Sequence, residues 1–382
     1  MYGLKHVDCE WGRILRRPSW NLGRTTAGRY MALGVLALAN VGLVAVVGGS
    51  VGSLADVIAP FTGHLMGFGL AAGVALLVHG RILTLLAAGI AATLAVHAGL
   101  GLARCCQAPK DLYGPANLTA EMPLHSLTVL NLNTWHARGD LGRIEQYLAT
   151  APADVVVLSE LDTGRSPLIA SLRDVYPHHV ECTNEPPCAL AMLSRLPLEA
   201  SGSARIAEGE PSFVWARINP GHQGSTTIIG TQLNRPSGNP WKHEVEMREL
   251  AQFVRHIDGP LVLAGNLNTS PWSRSFRALR LATGLSPAGT LMPSWPAWPI
   301  ALPQVALDHI FVSPEFTVAA SGTGPAVGSD HLPVWAQLER RPLAAYPGRA
   351  PRSRLAAASA HLGAEFPGDL GGEHGGARDL SR

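Results

Sequence analysis

Hydrophobic positions divide this chain into two regimes. From Tyr30 to Ala103 apolar residues run almost unbroken, and the formal charges between Arg29 and Arg104 are Asp56 and Arg81 alone. Three stretches, Tyr30 to Gly49, Phe61 to Val78 and Ile82 to Ala103, approach the roughly 20 residues needed to cross a hydrocarbon layer. They predict three transmembrane helices, with Asp56 and Pro60 in the first loop and Gly80-Arg81 in the second. A signal peptide has a single short apolar region, so it does not fit three in succession. From Leu127 the pattern changes. Short apolar runs at Leu127 to Leu132, Val155 to Ser159, Leu261 to Ala264 and Leu307 to Val312 predict strands covered on both faces. Between them, Leu141 to Thr150 and Glu244 to Ile257 repeat apolar residues at helical spacing and predict amphipathic helices.

Composition sharpens the division. The 382 residues are 47% hydrophobic and 15% charged, with a mean hydropathy of +0.14, too apolar for one ordinary soluble domain. Five segments follow: a basic N-terminal segment, 1–29; the three predicted spans, 30–104; a Pro- and Gly-containing linker, 105–124; a domain over 125–340, long enough to bury a core of its own; and an Ala-, Gly-, Pro- and Arg-rich tail, 341–382, expected to be disordered. Basic residues favour the cytoplasmic side. The N-terminal segment is therefore expected inside and, after three crossings, the C-terminal domain outside: a multi-pass protein of the cytoplasmic membrane with the bilayer as a partner. Asn40, His64 and His97 within the spans read as helix-packing residues. Cys182 and Cys188 are spaced either for a small disulfide loop or as two free thiols. Cys105-Cys106 reads as two unpaired thiols, without partners at zinc spacing. Gly48 to Gly52 matches a nucleophile-elbow pattern, but it ends a predicted span instead of joining a strand to a helix and is read as chance.

Polar residues gather where the predicted strands end: Asn133, Ser159-Glu160, Gly265-Asn266-Leu267-Asn268, Asp308 near the start of its strand, and Ser329-Asp330-His331 before the last one. In this order the set resembles the endonuclease/exonuclease/phosphatase superfamily, the fold of DNase I-like nucleases, phosphoinositide phosphatases and neutral sphingomyelinases, over about residues 125 to 340. The resemblance implies a four-layer α/β (α+β) sandwich of the DNase I-like type, here preceded by the three-helix transmembrane region. It also implies roles. Glu160 would be the principal ligand of Mg²⁺ (or Mn²⁺), a hard carboxylate for a hard cation, with Asn133 and Asp330 beside the metal. His331 would contact the scissile phosphate, and Asp308 would orient it and favour its charged form. Asn131 shares a strand face with Asn133; Asn133, nearer the strand's mouth, is the choice.

Two departures bear on activity. The family's usual Gly-Asp-x-Asn is here Gly265-Asn266-Leu267-Asn268, so the water-orienting Asp is an amide, and Gln232 stands where a phosphate-contacting His is common. General acid-base catalysis is worth about 10² to 10⁴ in rate, so turnover should slow while phosphate binding survives. The expected function is a membrane-anchored, metal-dependent phosphoesterase whose tethering favours a membrane-surface, lipid-linked phosphate ester, with Trp241, Trp272, Trp295 and Trp298 near the mouth. The alternatives are a catalytically impaired phosphate-binding module and a nuclease. The net charge of +2 offers no basic stripe for nucleic acid.

Overall fold

A computed structural model describes residues 126–341 apart from 162–165, 183–187, 206–210, 221–223, 290 and 298–304, together with 30, 34, 35, 37, 55–67 and 69. The chain divides into two compact units. The first comprises Met1–Val44 and Gly63–Gly99, and its described residues are helical. The second comprises Ala45–Thr62 and Leu100–Arg382.

Among the described residues, twelve strands of the second unit form two six-stranded sheets. The first contains β1 (Ser126–Asn133), β2 (Val155–Ser159), β3 (His178–Glu181), β4 (Leu190–Ser194), β11 (Phe316–Thr323) and β12 (Val334–Arg340), in the order β11-β12-β1-β2-β4-β3. The second contains β5 (Leu198–Arg205), β6 (Ser212–Ile218), β7 (Thr226–Gln232), β8 (Leu261–Asn266), β9 (Ser286–Pro287) and β10 (Asp308–Val312), in the order β5-β6-β7-β8-β10-β9. Each sheet has one parallel pair at its centre, β1 with β2 and β7 with β8. Each pair is joined through a helix, α1 (Leu141–Thr150) in the first sheet and α3 (Pro240–Arg255) in the second; α2 is Ser166–Ser171 and α4 is Arg274–Thr283.

Burial explains the layering. Residues of both inner sheet faces, among them Val129, Val157, Val214 and Ala264, form one core between the sheets. Leu132, Ile144, Leu148 and Tyr176 pack the first sheet's outer face against its helices, and Phe213, Leu250, Leu263 and Phe276 do the same for the second. The mixed helix, sheet, sheet, helix sandwich expected of the domain is the observed one. Helix starts are set by side chains: Asp140 accepts from the Arg143 N–H (3.2 Å) and Asn239 from the Lys242 N–H (3.0 Å), each satisfying a donor that a helix leaves unpaired.

The expected three-helix transmembrane region is corrected. Among the described residues no helix is long and apolar enough to cross a membrane. With it fall the bilayer as a partner, the multi-pass placement in the cytoplasmic membrane, the extracytoplasmic C-terminal domain and the lipid-linked substrate argued from tethering. Ile82 to Ala103 lies outside the described residues, as do most of Tyr30 to Gly49 and of Phe61 to Val78. What is described there has a different use. Asp56, expected in an exposed loop, is 2% exposed. Its carboxylate accepts from the N–H groups of Arg274 (2.7 Å) and Ser275 (3.0 Å). Ser273, the N-cap of α4, makes no side-chain cap of its own, so Asp56 caps that helix from more than two hundred residues away. Ala55 and Ala59 are buried beside it, which makes part of this apolar stretch packing surface. Cys182 and Cys188 form a disulfide. The basic segment, Cys105-Cys106, the linker and all of the tail beyond Arg341 lie outside the described residues.

Candidate active site

The two parallel strand pairs finish at one edge of the sandwich, and the polar residues lie there. Cross-strand register aligns Asn133 with Ser159 in the first sheet. In the second it aligns Gln232 with Asn266 and Asn266 with Asp308, and side chains in register across a sheet share a face. Gly265 permits this convergence: a Cβ there would lie 1.9 Å from the Thr231 carbonyl oxygen.

Asp308 is the hub of one half. Its Oδ2 accepts from His331 Nδ1 (2.6 Å) and from Ser294 Oγ (2.6 Å), and its Oδ1 accepts from Asn131 Nδ2 (3.1 Å). Burial by itself would lower the His331 pKa, but the Asp308 carboxylate and hydrogen bond, with Asp330 and Glu160, hold it above its ordinary value. His331 and Asp308 are thus hydrogen-bonded in a buried pair, an arrangement that favours the charged imidazole. Ser329 locks the loop, donating to the Asn133 carbonyl (2.6 Å) and accepting from the His331 N–H (3.0 Å).

Glu160 is the hub of the other half and is 3% exposed. Gln232 Nε2 donates to its Oε1 (2.9 Å), Arg235 Nη2 lies 3.8 Å from the same oxygen, and His136 Nε2 lies 3.5 Å from Oε2. The loop carrying Arg235 is held by Glu246 of α3, which accepts from the Asn234 N–H (2.8 Å) and side-chain amide. Burial raises the Asp330 pKa, with Glu160 adding to the shift while His331 and the 3.2 Å bond from Trp295 Nε1 oppose it. Asn268 Nδ2 is committed to the Leu233 carbonyl (2.8 Å), and Asn266 Oδ1 accepts from the Asn268 N–H (3.1 Å).

Two features mark this edge as more than a sheet terminus. Among the described residues, the non-glycine residues with positive φ are Trp135 (62°), His136 (41°), Glu160 (57°) and Asn268 (47°), and all belong to these loops. Such backbone costs about 1–3 kcal/mol per residue and concentrates where function requires it. Buried polar atoms without a partner also collect here: Asn133 Nδ2, Asn266 Nδ2, Ser159 Oγ, Asn131 Oδ1 and Asp330 Oδ1. Orphaned buried groups are rare and need a reason, a bound ion or ligand among them. Among the described residues no three His, Cys, Asp or Glu side chains converge as a metal cluster. A cation here would rely on Glu160, on the orphaned Asp330 oxygen and on amide oxygens, all hard donors.

Of the residues singled out in the sequence, Glu160, Asp308, Asp330, His331 and Gln232 all lie at this edge. Ser294, Arg235 and His136 join them there, although the sequence does not single them out. Gln232, which stands where a phosphate-contacting His is common, here donates to Glu160.

Residues 130–331 match the model of the Endonuclease/Exonuclease/phosphatase family. None of the curated proteins matches the chain. Similar solved structures include an endonuclease/exonuclease/phosphatase from Beutenbergia cavernae DSM 12333 (21% identity, TM-score 0.46, covering 56% of this chain and 72% of that one). Others are a family protein from Bacteroides thetaiotaomicron (16%, 0.47, 59% and 98%) and sphingomyelinase C from Streptomyces griseocarneus (20%, 0.42, 56% and 99%).

Proposed function

Because the chain belongs to the Endonuclease/Exonuclease/phosphatase family, and so is a phosphate-ester hydrolase in general terms, we propose that it hydrolyses its ester at the strand-end site, with His331, Asp308, Asn266 and Glu160 as the working groups. The observation that carries this reading is the buried 2.6 Å pair of His331 and Asp308 beside the orphaned amide of Asn266. Members of the family commonly use divalent metal ions. When bound, Mg²⁺ or Mn²⁺ would neutralise phosphoryl oxygens, held by Glu160 and Asp330 with Asn133 adjacent.

The chain's own groups then divide the work. His331, whose charged form Asp308 favours, donates a hydrogen bond to a phosphoryl oxygen as negative charge builds there. Asn266 Nδ2 is a second donor at the same mouth, this one neutral, and Asn268 fixes the turn that presents it. Water adds to phosphorus and gives up one proton, the ester P–O bond breaks, and the leaving oxygen takes up one proton from the surrounding water, so one water is consumed and no net proton. No carboxylate stands at position 266 to take the water's proton, so the base must be another group or solvent.

That gap supports a second reading, a phosphate-binding module with slow or absent turnover. Initial rates on one phosphate ester, with Mg²⁺, for the wild type, Asn266→Asp, Gln232→His and the double variant separate the two. His331→Ala is the blank. A weakened phosphoesterase gains about 10² or more in rate from Asn266→Asp. A binder gains nothing until both positions change. A fast wild type slowed by Asn266→Asp would sink the role assigned to Asn266. In a companion measurement, Glu160→Ala should abolish the rise in melting temperature produced by Mg²⁺ while leaving the metal-free melting temperature within a few degrees of the wild type. An undiminished rise would move the cation elsewhere.

A further inference from the structure

A pocket of about 190 Å³ opens beside His331, and one of its walls comes from outside the family-matched residues. Asp56, Val57, Pro60 and Phe61 line it from that N-terminal segment, and Trp295, Val305 and Leu307 line it from the domain. His331, Asn268, Arg235 and Ser237 line the same pocket, so its lining combines polar groups with an apolar majority. The N-terminal wall is fixed in place, not merely adjacent: Asp56 is clamped by the two N–H groups at the start of α4, and Ala59 is fully buried. Phe61 is 46% exposed, and it lines the pocket with Val57 and Pro60.

We propose that Ala55–Phe61 builds an apolar subsite next to the reacting phosphate, selecting phosphate esters that carry a compact apolar or aromatic group on the ester oxygen. The inference rests on the site assignment above and adds the substrate class. The size is consistent: an apolar cavity of ~150 Å³ accommodates benzene, so the space suits a ring or a short branched chain. The polarity is consistent too. Arg235 and His331 receive the anion, and burial of the organic group against Val57, Phe61 and Trp295 supplies the non-directional part of the binding. A polyhydroxylated group such as glycerol would leave hydroxyls unpaired wherever it lies against Val57, Phe61, Trp295, Val305 and Leu307, which costs binding.

Binding of phenylphosphonate and methylphosphonate, which share the anion and resist hydrolysis, is measured by calorimetry on the full chain with Mg²⁺. The wild type should bind phenylphosphonate at least tenfold more tightly. Phe61→Ser and Val57→Ser should each reduce that ratio severalfold with methylphosphonate affinity unchanged, which also reports an intact fold, and Phe61→Leu should retain most of it. Equal affinities in the wild type, or a ratio untouched by both serine variants, overturn the subsite while leaving the phosphate site standing. Absence of any phosphonate binding overturns both. A phenyl preference in a protein that hydrolyses no ester supports the subsite and removes the catalytic reading alone.

Discussion

Ser294 shows how much of this site depends on a residue that no motif announces. It donates to Asp308 Oδ2 and accepts from the N–H groups of Leu307 (3.3 Å) and Asp308 (3.2 Å), so it fixes the carboxylate that in turn fixes His331. Ser294→Ala removes one hydrogen bond to a charged group, worth about 1.5–3 kcal/mol. The expected result is kcat lowered at least tenfold with KM little changed, because a misdirected imidazole weakens the transition state more than the ground state. Ser294→Thr should restore most of the rate. An unaltered kcat for Ser294→Ala would mean that Asn131 and His331 hold Asp308 unaided. Glu160, Asp308 and His331 were legible because each follows or begins a recognisable apolar run. Ser294 was not, because it acts across a loop whose sequence has no period to read.

At the scale of elements, the turn Leu267 to Thr269 is gripped from two sides by buried histidines. His243 of α3 donates from Nε2 to the Leu267 carbonyl (3.0 Å), and His309 of β10 to the Thr269 carbonyl (2.8 Å). Burial lowers the pKa of both, outweighing those carbonyl bonds and the nearby carboxylates. A histidine whose folded pKa lies below its unfolded value, about 6.5, contributes stability that is present above that value and lost as pH falls toward the folded one. The urea midpoint should therefore drop as pH falls below about 6.5, and His243→Gln with His309→Gln should flatten the drop. A midpoint as steep in the double variant assigns the acid sensitivity to other groups.

The capping of α4 by Asp56 makes a prediction of the same kind. Asp56→Ala orphans two N–H groups at that helix's start and should cost about 0.5–2 kcal/mol of unfolding free energy, read from urea denaturation. No change would mean that water or Ser273 replaces the carboxylate without loss. The two helices named from periodicity are present, one with identical bounds and the other spanning Pro240–Arg255 instead of Glu244 to Ile257. The contact of Ala55 to Phe61 with the domain was illegible for a physical reason. Hydropathy registers that a segment avoids water, not whether lipid or protein covers it.

Across the whole molecule, the sandwich is closed by its two ends: β12 pairs antiparallel with β1, from Ser126 opposite Glu339 to Asn131 opposite Val334. The central strand that presents Asn133 therefore gains its second neighbour only from the last strand of the described chain. During synthesis on the ribosome, which adds roughly 5–20 residues per second, β1 emerges early and waits with one edge unpaired for at least ten seconds or so until Val334 to Arg340 follows. An unpaired strand edge is a template for mispairing. Newly made chains consequently pass through an interval in which the same backbone groups that later complete the first sheet are open to a neighbouring polypeptide or a chaperone.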